Sequence, residues 1–236
     1  MKLERMDDFF AARVGGYDEH MRTSIEGASG FYAFTASLLP VEKGARVLDL
    51  GCGTGLELEE YFRLNPEAEV TGIDLSEAML EALKQKFPDR KIRLVRGSYF
   101  DIPFGEGAYD AAVSVESLHH FTAERKKALY GKLHAALRNG GQFVLTDYFA
   151  ESEELEKEYF QNLKRLKEEQ GLPENVFVHY DTPLTVDHEI RILRQAGFSD
   201  VQVLKEWGTT FTLLAAQQPG RLQGAVSFDS VKHGGK

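Results

Sequence analysis

Cysteine is almost absent from this chain, with Cys52 the single example, so no internal disulfide can form and no cysteine-based metal site can be assembled. That usage fits a reducing, cytoplasmic setting. No apolar run approaches the length needed to cross a membrane, and the opening residues Met1 to Asp8 carry acids rather than a signal-type apolar core, so the chain reads as soluble. A basic excess is also missing: 28 Lys and Arg stand against 37 Asp and Glu, a formal net charge of −9. This argues against general nucleic-acid binding, which relies on a basic face, although a local basic pocket remains open. No internal repeat is visible, and oligomeric state leaves no mark. What is present, 236 residues at 42% hydrophobic and 28% charged, is enough for one sizeable α/β core.

From Arg46 to Tyr148, short β-branched apolar runs alternate with longer helix-period segments, the pattern of strand–helix crossovers. Strands are expected near 46–50, 69–74, 92–96, 109–115 and 142–148. Between them Leu58, Tyr61 and Phe62 share a helical face, as do Met79, Leu80, Leu83 and Phe87, then Leu129, Leu133, Ala136 and Leu137. Ser76, Thr122 and Thr185 are expected helix N-caps, and Asn139-Gly140-Gly141 should stop the third of these helices. Glu151 to Gln170 reads as a charged helix followed by a loop at Gly171-Leu172-Pro173. Period-two alternation at 201–203 and 211–213 around Gly208 predicts an antiparallel hairpin at one sheet edge. The fold expected is a Rossmann-like, doubly wound α/β sheet of seven strands, mostly parallel. Residues 1–40 form a helical lid segment, 41–216 the main domain with a helical insertion at about 150–182, and 217–236 a flexible tail.

The densest chemical signal is Gly51-Cys52-Gly53-Thr54-Gly55, directly after the buried run Val47-Leu48-Asp49-Leu50. Glycines there let backbone approach a ligand closely, and the following helix presents unpaired N–H groups. Glycine turns also occur where nothing binds, but a second mark lies one strand on: Asp74 ends Val70-Thr71-Gly72-Ile73, where an acid takes both hydroxyls of a ribose. A dinucleotide fingerprint would want glycine at position 56, where the chain has Leu56 followed by Glu57. An acid at that helix start suits an ammonium or sulfonium better than a diphosphate, which disfavours NAD and ATP.

With Gly72-Ile73-Asp74-Leu75-Ser76, this stretch resembles the class I S-adenosylmethionine-dependent methyltransferases. Ile102-Pro103-Phe104, Tyr109-Asp110-Ala111-Ala112-Val113, Leu137-Arg138-Asn139-Gly140-Gly141 and Ala196-Gly197-Phe198 resemble later family elements in order, covering about 44–215. The resemblance implies S-adenosyl-L-methionine as cofactor and S-adenosyl-L-homocysteine as product. It places Asp49 and Gly51, Gly53 and Gly55 along the methionine part, Asp74 at the ribose, Leu75 and Met79 near the adenine, and Ser98 and Tyr99 at the adenine amine. Many members carry an acid where this chain has Ser98, so Asp101 is an alternative there.

Ser114-Val115-Glu116-Ser117-Leu118-His119-His120 ends the fourth strand, where a parallel sheet opens toward its ligand. Either histidine could serve as general base or hold an acceptor, or one could cap a helix while the other is buried on a backbone partner. Tyr148 is a weaker base candidate, and Glu116 is expected to face the cofactor. No metal is expected, because adjacent histidines diverge and no third ligand is spaced nearby. Cys52 reads as a small residue filling a tight turn. Tyr17, His20, Met21 and Arg22 form a mixed cluster that either roofs the acceptor or is a solvated helix with one anchored aromatic. The Asn/Asp-Pro-Pro-aromatic signature of nucleic-acid aminomethylating enzymes is missing.

The reading is methyl transfer to a small-molecule acceptor. The rivals are an enzyme similar to the carboxy-S-adenosylmethionine synthases of tRNA wobble-uridine modification, whose glycine turn often loses the glycine that Gly53 keeps, and a non-catalytic cofactor-binding regulator.

Overall fold

The computed structural model describes residues 1–217; the expected tail, from 218 onward, lies outside the described residues. In chain order the elements are α1 (Met6–Arg13), α2 (Tyr17–Ser24), α3 (Ala28–Ser37), β1 (Arg46–Leu50), α4 (Leu56–Leu64), β2 (Glu69–Asp74), α5 (Glu77–Lys86), β3 (Lys91–Arg96), β4 (Tyr109–Val115), α6 (Ala123–Ala136), β5 (Leu137–Tyr148), α7 (Glu153–Glu169), α8 (Val186–Gln195), β6 (Asp200–Trp207) and β7 (Thr210–Ala216). The caps Ser76, Thr122 and Thr185 each accept a backbone N–H from the third residue on, from Met79, Arg125 and His188. These hydroxyls satisfy donors that the first helical turn cannot pair internally.

The seven strands form one sheet in the order β3-β2-β1-β4-β5-β7-β6. β1 to β5 run parallel, and β7 runs antiparallel between β5 and β6. Successive side chains of a strand point to opposite faces, and both faces are apolar here: Val47, Val113 and Val144 join one buried cluster with α3 and α4, while Leu48, Ala112 and Phe143 join another with α6 and α8. A buried sheet of this kind reads as continuous apolar runs, which is why the central strands were visible in the sequence. Thr35 of α3 is tied to Thr146 of β5 by a 2.5 Å hydroxyl pair, fixing that helix on the sheet.

Two boundaries differ from expectation. Leu137 belongs to β5 rather than to the face of α6, and the helix stops at Ala136, before Asn139-Gly140-Gly141. The ladder explains this: Tyr109 pairs with Leu137 and Ala111 with Gln142, so the extra residues are absorbed in a bulge and the strand starts early.

The strand order reverses between β1 and β4, the switch point where ligands enter such sheets. The N-terminal residues cover that opening. They are held by backbone pairing to the loop after α7: Met6 N–H donates to the Phe177 carbonyl at 3.1 Å, and His179 N–H to that of Glu4 at 3.0 Å. Leu3, Leu166 and Val178 seal this seam as a small apolar cluster of their own.

Candidate active site

At the end of β1 the turn at Gly51 and Gly53 takes left-handed backbone angles, φ +71° and +48°. Gly51 is required twice over, since a Cβ there would stand 2.1 Å from the Ser117 hydroxyl. The turn directs the Gly53 N–H at Asp74 Oδ2, 2.9 Å away, while Asp74 Oδ1 accepts the Ser76 N–H at 2.8 Å. Burial raises the Asp74 carboxyl above its ordinary range, opposed by these backbone donors. Asp74, Leu75, Met79 and Tyr99 line a small cleft of about 50 Å³ whose outer wall is Met6, Phe10 and Tyr17. That is room for a few waters; the N-terminal helices lie shut on it.

Beneath the turn, Asp49 and Glu57 are buried facing each other, and both Asp49 oxygens and one of Glu57 have no hydrogen-bond donor. Burial, then the charge of Glu57, pushes the Asp49 carboxyl well above the usual carboxylate range, and burial raises Glu57 as well. Buried acid oxygens without donors cost free energy that an ammonium group could recover. Three carboxylates gathered about one turn, from β1, α4 and β2, would repel a pyrophosphate.

Ser98 is not on this wall. Its hydroxyl accepts the Phe100 N–H at 3.2 Å, a local turn bond, so of the expected adenine-side pair only Tyr99 lines the cleft. Gly55 faces Phe87 and Leu83 rather than the opening. Cys52 is buried against Gly72, where a Cβ would lie 2.8 Å from its sulfur, so it packs the turn, and burial raises its thiol pKa well above the ordinary value.

A larger cavity of about 860 Å³ adjoins the cleft, and Phe10, Tyr17, Glu116 and His120 border both. Tyr148 and Trp207 supply apolar walls, and His20 and Met21 reach in from α2. Arg22 does not; it is paired with Glu59. Glu116 sits at the mouth with φ +48°, unusual for a residue with a side chain, and its carboxylate accepts the Thr210 hydroxyl at 3.0 Å. Burial and then the nearby Asp147 charge push Glu116 up to about 7. The Tyr148 hydroxyl is bonded to that of Tyr159 at 3.1 Å, and burial, then that bond, raises its pKa.

The two histidines lie on a 3-10 turn, Leu118–His120, and are both buried. Rather than diverging, their rings sit with centroids 4.0 Å apart. His119 Nδ1 meets Asp147 Oδ1 at 2.5 Å, and Asp147 is itself fixed by N–H groups of Leu118 at 2.9 Å and Tyr148 at 3.0 Å. The other ring nitrogen, Nε2, points at Asp181 Oδ1, 3.6 Å away. Burial would lower the His119 pKa, but the Asp147 charge and hydrogen bond outweigh it and the ring is pushed up to about 9. A ring that holds its proton at neutral pH is not a free base, which counts against that expectation for His119. His120 is pulled the other way by burial and by the charge on His119. Its Nδ1 lies 3.3 Å from Asp181 Oδ1 and 3.2 Å from the Tyr180 carbonyl.

Asp74, Glu116 and the histidine pair were singled out from sequence and line these two spaces; Asp49, also singled out, is buried beneath the turn and lines neither. Glu57 was noticed only for its charge. Asp147, His179, Asp181 and Phe10 were missed; the one local hint was an acid at the C-terminal end of a parallel strand, Asp147.

The family model described as methyltransferase domain matches residues 47–141. An uncharacterized methyltransferase of Synechocystis sp. is 31% identical over 52% of this chain and 57% of its own length. A carboxy-S-adenosyl-L-methionine synthase of Nautilia profundicola is 24% identical over 89% of each chain. Human N-acetylserotonin methyltransferase, solved in complex with S-adenosylmethionine, superposes with a TM-score of 0.61 at 21% identity, over 89% of this chain and 56% of that one. The chain spans about half the length of several curated methyltransferases it matches. No helix among the described residues is long and apolar enough to cross a membrane. Residues 47–141 match a methyltransferase domain, and the strand order and the solved neighbours give the chain the Rossmann-like fold of the class I S-adenosylmethionine-dependent methyltransferases.

Proposed function

We propose that the protein transfers a methyl group from S-adenosyl-L-methionine to a small-molecule acceptor held in the 860 Å³ cavity. The observation that carries this is the buried pair Asp49 and Glu57, with both Asp49 oxygens and one Glu57 oxygen lacking a donor, beside the ribose-type acid Asp74 at the switch point. Asp74 would hold the ribose hydroxyls, Asp49 the ammonium, and Leu75, Met79 and Tyr99 the adenine. When bound, the cofactor supplies an electrophilic methyl carbon on a positively charged sulfur. The chain's own task is then alignment and exclusion of water. Phe10 and Tyr17 close over the cleft and also border the cavity, so one lid serves both compartments. The backbone pairing of residues 4–6 with 177–179 joins lid and insertion into one cover, which supports the division into 1–40, 41–216 and an insertion at about 150–182. Of the groups named from sequence, His120 and Glu116 border both compartments and would contact the acceptor; Glu116 is held by the Thr210 hydroxyl, and His119, fixed by Asp147, would position His120 through Asp181.

The lone, buried cysteine supports a reducing, cytoplasmic setting, and the net charge of −9 supports an acceptor other than bulk nucleic acid. The test is calorimetric titration with S-adenosyl-L-methionine and S-adenosyl-L-homocysteine, followed by methyl-labelled cofactor and a metabolite pool. Tight binding with label entering a small molecule is expected. Binding with no labelled product from any pool would favour the regulator instead.

The nearly full-length match to carboxy-S-adenosyl-L-methionine synthase favours a second reading, in which the cofactor itself is carboxylated. Mass spectrometry separates the two, because that reaction leaves a heavier cofactor and no methylated acceptor.

A further inference from the structure

We propose that His119, His120 and Asp181 form a binding site for one divalent transition-metal ion on the floor of the acceptor cavity. The proposal rests on the methyltransferase reading only for the cavity's role; the metal site itself stands on the geometry. One ligand atom from each of the three residues lies within 4.8 Å of the other two. The separations of Asp181 Oδ1 from His120 Nδ1, 3.3 Å, and from His119 Nε2, 3.6 Å, are close to those a cation imposes: ligands about 2.0–2.1 Å from a tetrahedral zinc stand about 3.3 Å apart. All three residues line the 860 Å³ cavity, so the coordination positions left free face the acceptor.

The surroundings have the form of a metal site's outer shell. A ligating histidine characteristically gives its second ring nitrogen to a carboxylate, which fixes the ring and raises its basicity. His119 does this with Asp147 at 2.5 Å, and Asp147 in turn accepts the backbone N–H groups of Leu118 and Tyr148. Asp181 is clamped next to the pair because the Thr182 N–H donates to the His119 carbonyl at 2.8 Å, and the Tyr180 carbonyl stands 3.2 Å from His120 Nδ1 as a further oxygen donor. A second grouping, Glu116, His119 and Asp147, shares the His119 ring. It is the poorer site, since Asp147 is already committed to two backbone donors and Glu116 to the Thr210 hydroxyl.

Two imidazoles and one carboxylate suit zinc, iron(II), cobalt(II) or nickel(II) in preference to magnesium or calcium, which take all-oxygen shells. A cation with open positions on the cavity side would take an oxygen donor from the acceptor, so the acceptor class is a small molecule bearing a hydroxyl or carboxylate near the atom to be methylated.

The full chain, stripped with chelator, is titrated with Co²⁺ and read by visible absorption, and with Zn²⁺ and Mg²⁺ by calorimetry. The expected result is one equivalent of Co²⁺ or Zn²⁺, no comparable uptake of Mg²⁺, and a loss in affinity of at least tenfold in both Asp181→Asn and His120→Gln. Asp147→Asn should weaken binding about 10- to 100-fold without removing a ligand. Asp181 is half-exposed, so its variant is the one expected to keep the melting temperature of the parent. Failure to take up either ion, or equal affinity in Asp181→Asn and the parent, overturns the proposal. The outcome is independent of cofactor binding: a chain that binds S-adenosyl-L-methionine and no metal refutes this site alone, and one that binds metal and no cofactor refutes the methyltransferase reading alone.

Discussion

Replacing Asp74 tests the cofactor cleft directly. In the structure its two oxygens are each aligned by a backbone donor, Gly53 at 2.9 Å and Ser76 at 2.8 Å, which leaves the outer lone pairs toward the cleft. A hydrogen bond to a charged acceptor contributes about 1.5–3 kcal/mol. At about 1.4 kcal/mol per tenfold, losing one such bond costs about 10- to 150-fold in affinity. Asp74→Asn keeps one acceptor and the backbone contacts, so it should fall at the lower end; Asp74→Ala loses both ribose bonds and should fall at or beyond the upper end. Isothermal titration with S-adenosyl-L-homocysteine measures this, and circular dichroism melts confirm that the turn still folds. Affinity in Asp74→Ala equal to that of the parent, with the melt unchanged, would refute the assignment of this cleft to an adenosyl ligand.

Gly51→Ala places a Cβ 2.1 Å from the Ser117 hydroxyl at φ +71°, so a loss of about 2–5 kcal/mol in urea unfolding is expected from strain and overpacking, partly restored by adding Ser117→Gly. Lys126 and Tyr130 of α6 both bond the buried Glu189 of α8, Lys126 at 2.7 Å. Glu189→Ala strands the lysine charge in the interior and should cost about 3–5 kcal/mol, a drop in melting temperature of about 6–20 °C; a change under 1 °C would disprove the pairing. Phe10→Ala opens the wall shared by cleft and cavity, and should speed cofactor release in stopped flow by about fivefold or more, the loss of a contact of about 1 kcal/mol.

The parts of this molecule legible in its sequence are those whose physics is local. Val47, Leu48 and Leu50 are wholly buried and sit in a parallel strand, so an unbroken apolar run marks them. Asp74 follows from strand-end logic applied twice. The fifth strand's start was misread because Asn139-Gly140-Gly141 has every local feature of a helix stop, while the strand actually begins at Leu137 through pairing with Tyr109 across a bulge. Ser98 matches the family's adenine-amine position, but its hydroxyl accepts the Phe100 N–H within its own turn and it does not line the cleft. Asp147 and Asp181 reach the histidines from other elements, so no spacing in the sequence announces them. Sequence argued against a metal for want of a third ligand; the loop through Tyr180 and Thr182 brings the Asp181 carboxylate beside the two histidines, which is the basis of the site proposed above.

The buried acid pair makes a further demand on any ligand. Buried together, Asp49 and Glu57 have raised pKa values because burial penalises their ionised forms, unopposed at Asp49 and only partly offset at Glu57 by the Lys86 charge and local hydrogen bonds. They therefore retain proton density at a pH where exposed carboxylates have lost theirs. A cationic amine arriving beside Asp49 reverses the balance, since it stabilises the ionised forms and lowers both pKa values. Binding of S-adenosyl-L-methionine should therefore expel up to about one proton, the sign expected when the free protein holds more protons than the complex. Calorimetry in buffers of different ionisation enthalpy reads that number from the slope of observed heat. A slope of zero near neutral pH, with tight binding, would mean that the ammonium lies elsewhere and that Asp49 and Glu57 are merely interior acids sharing a proton.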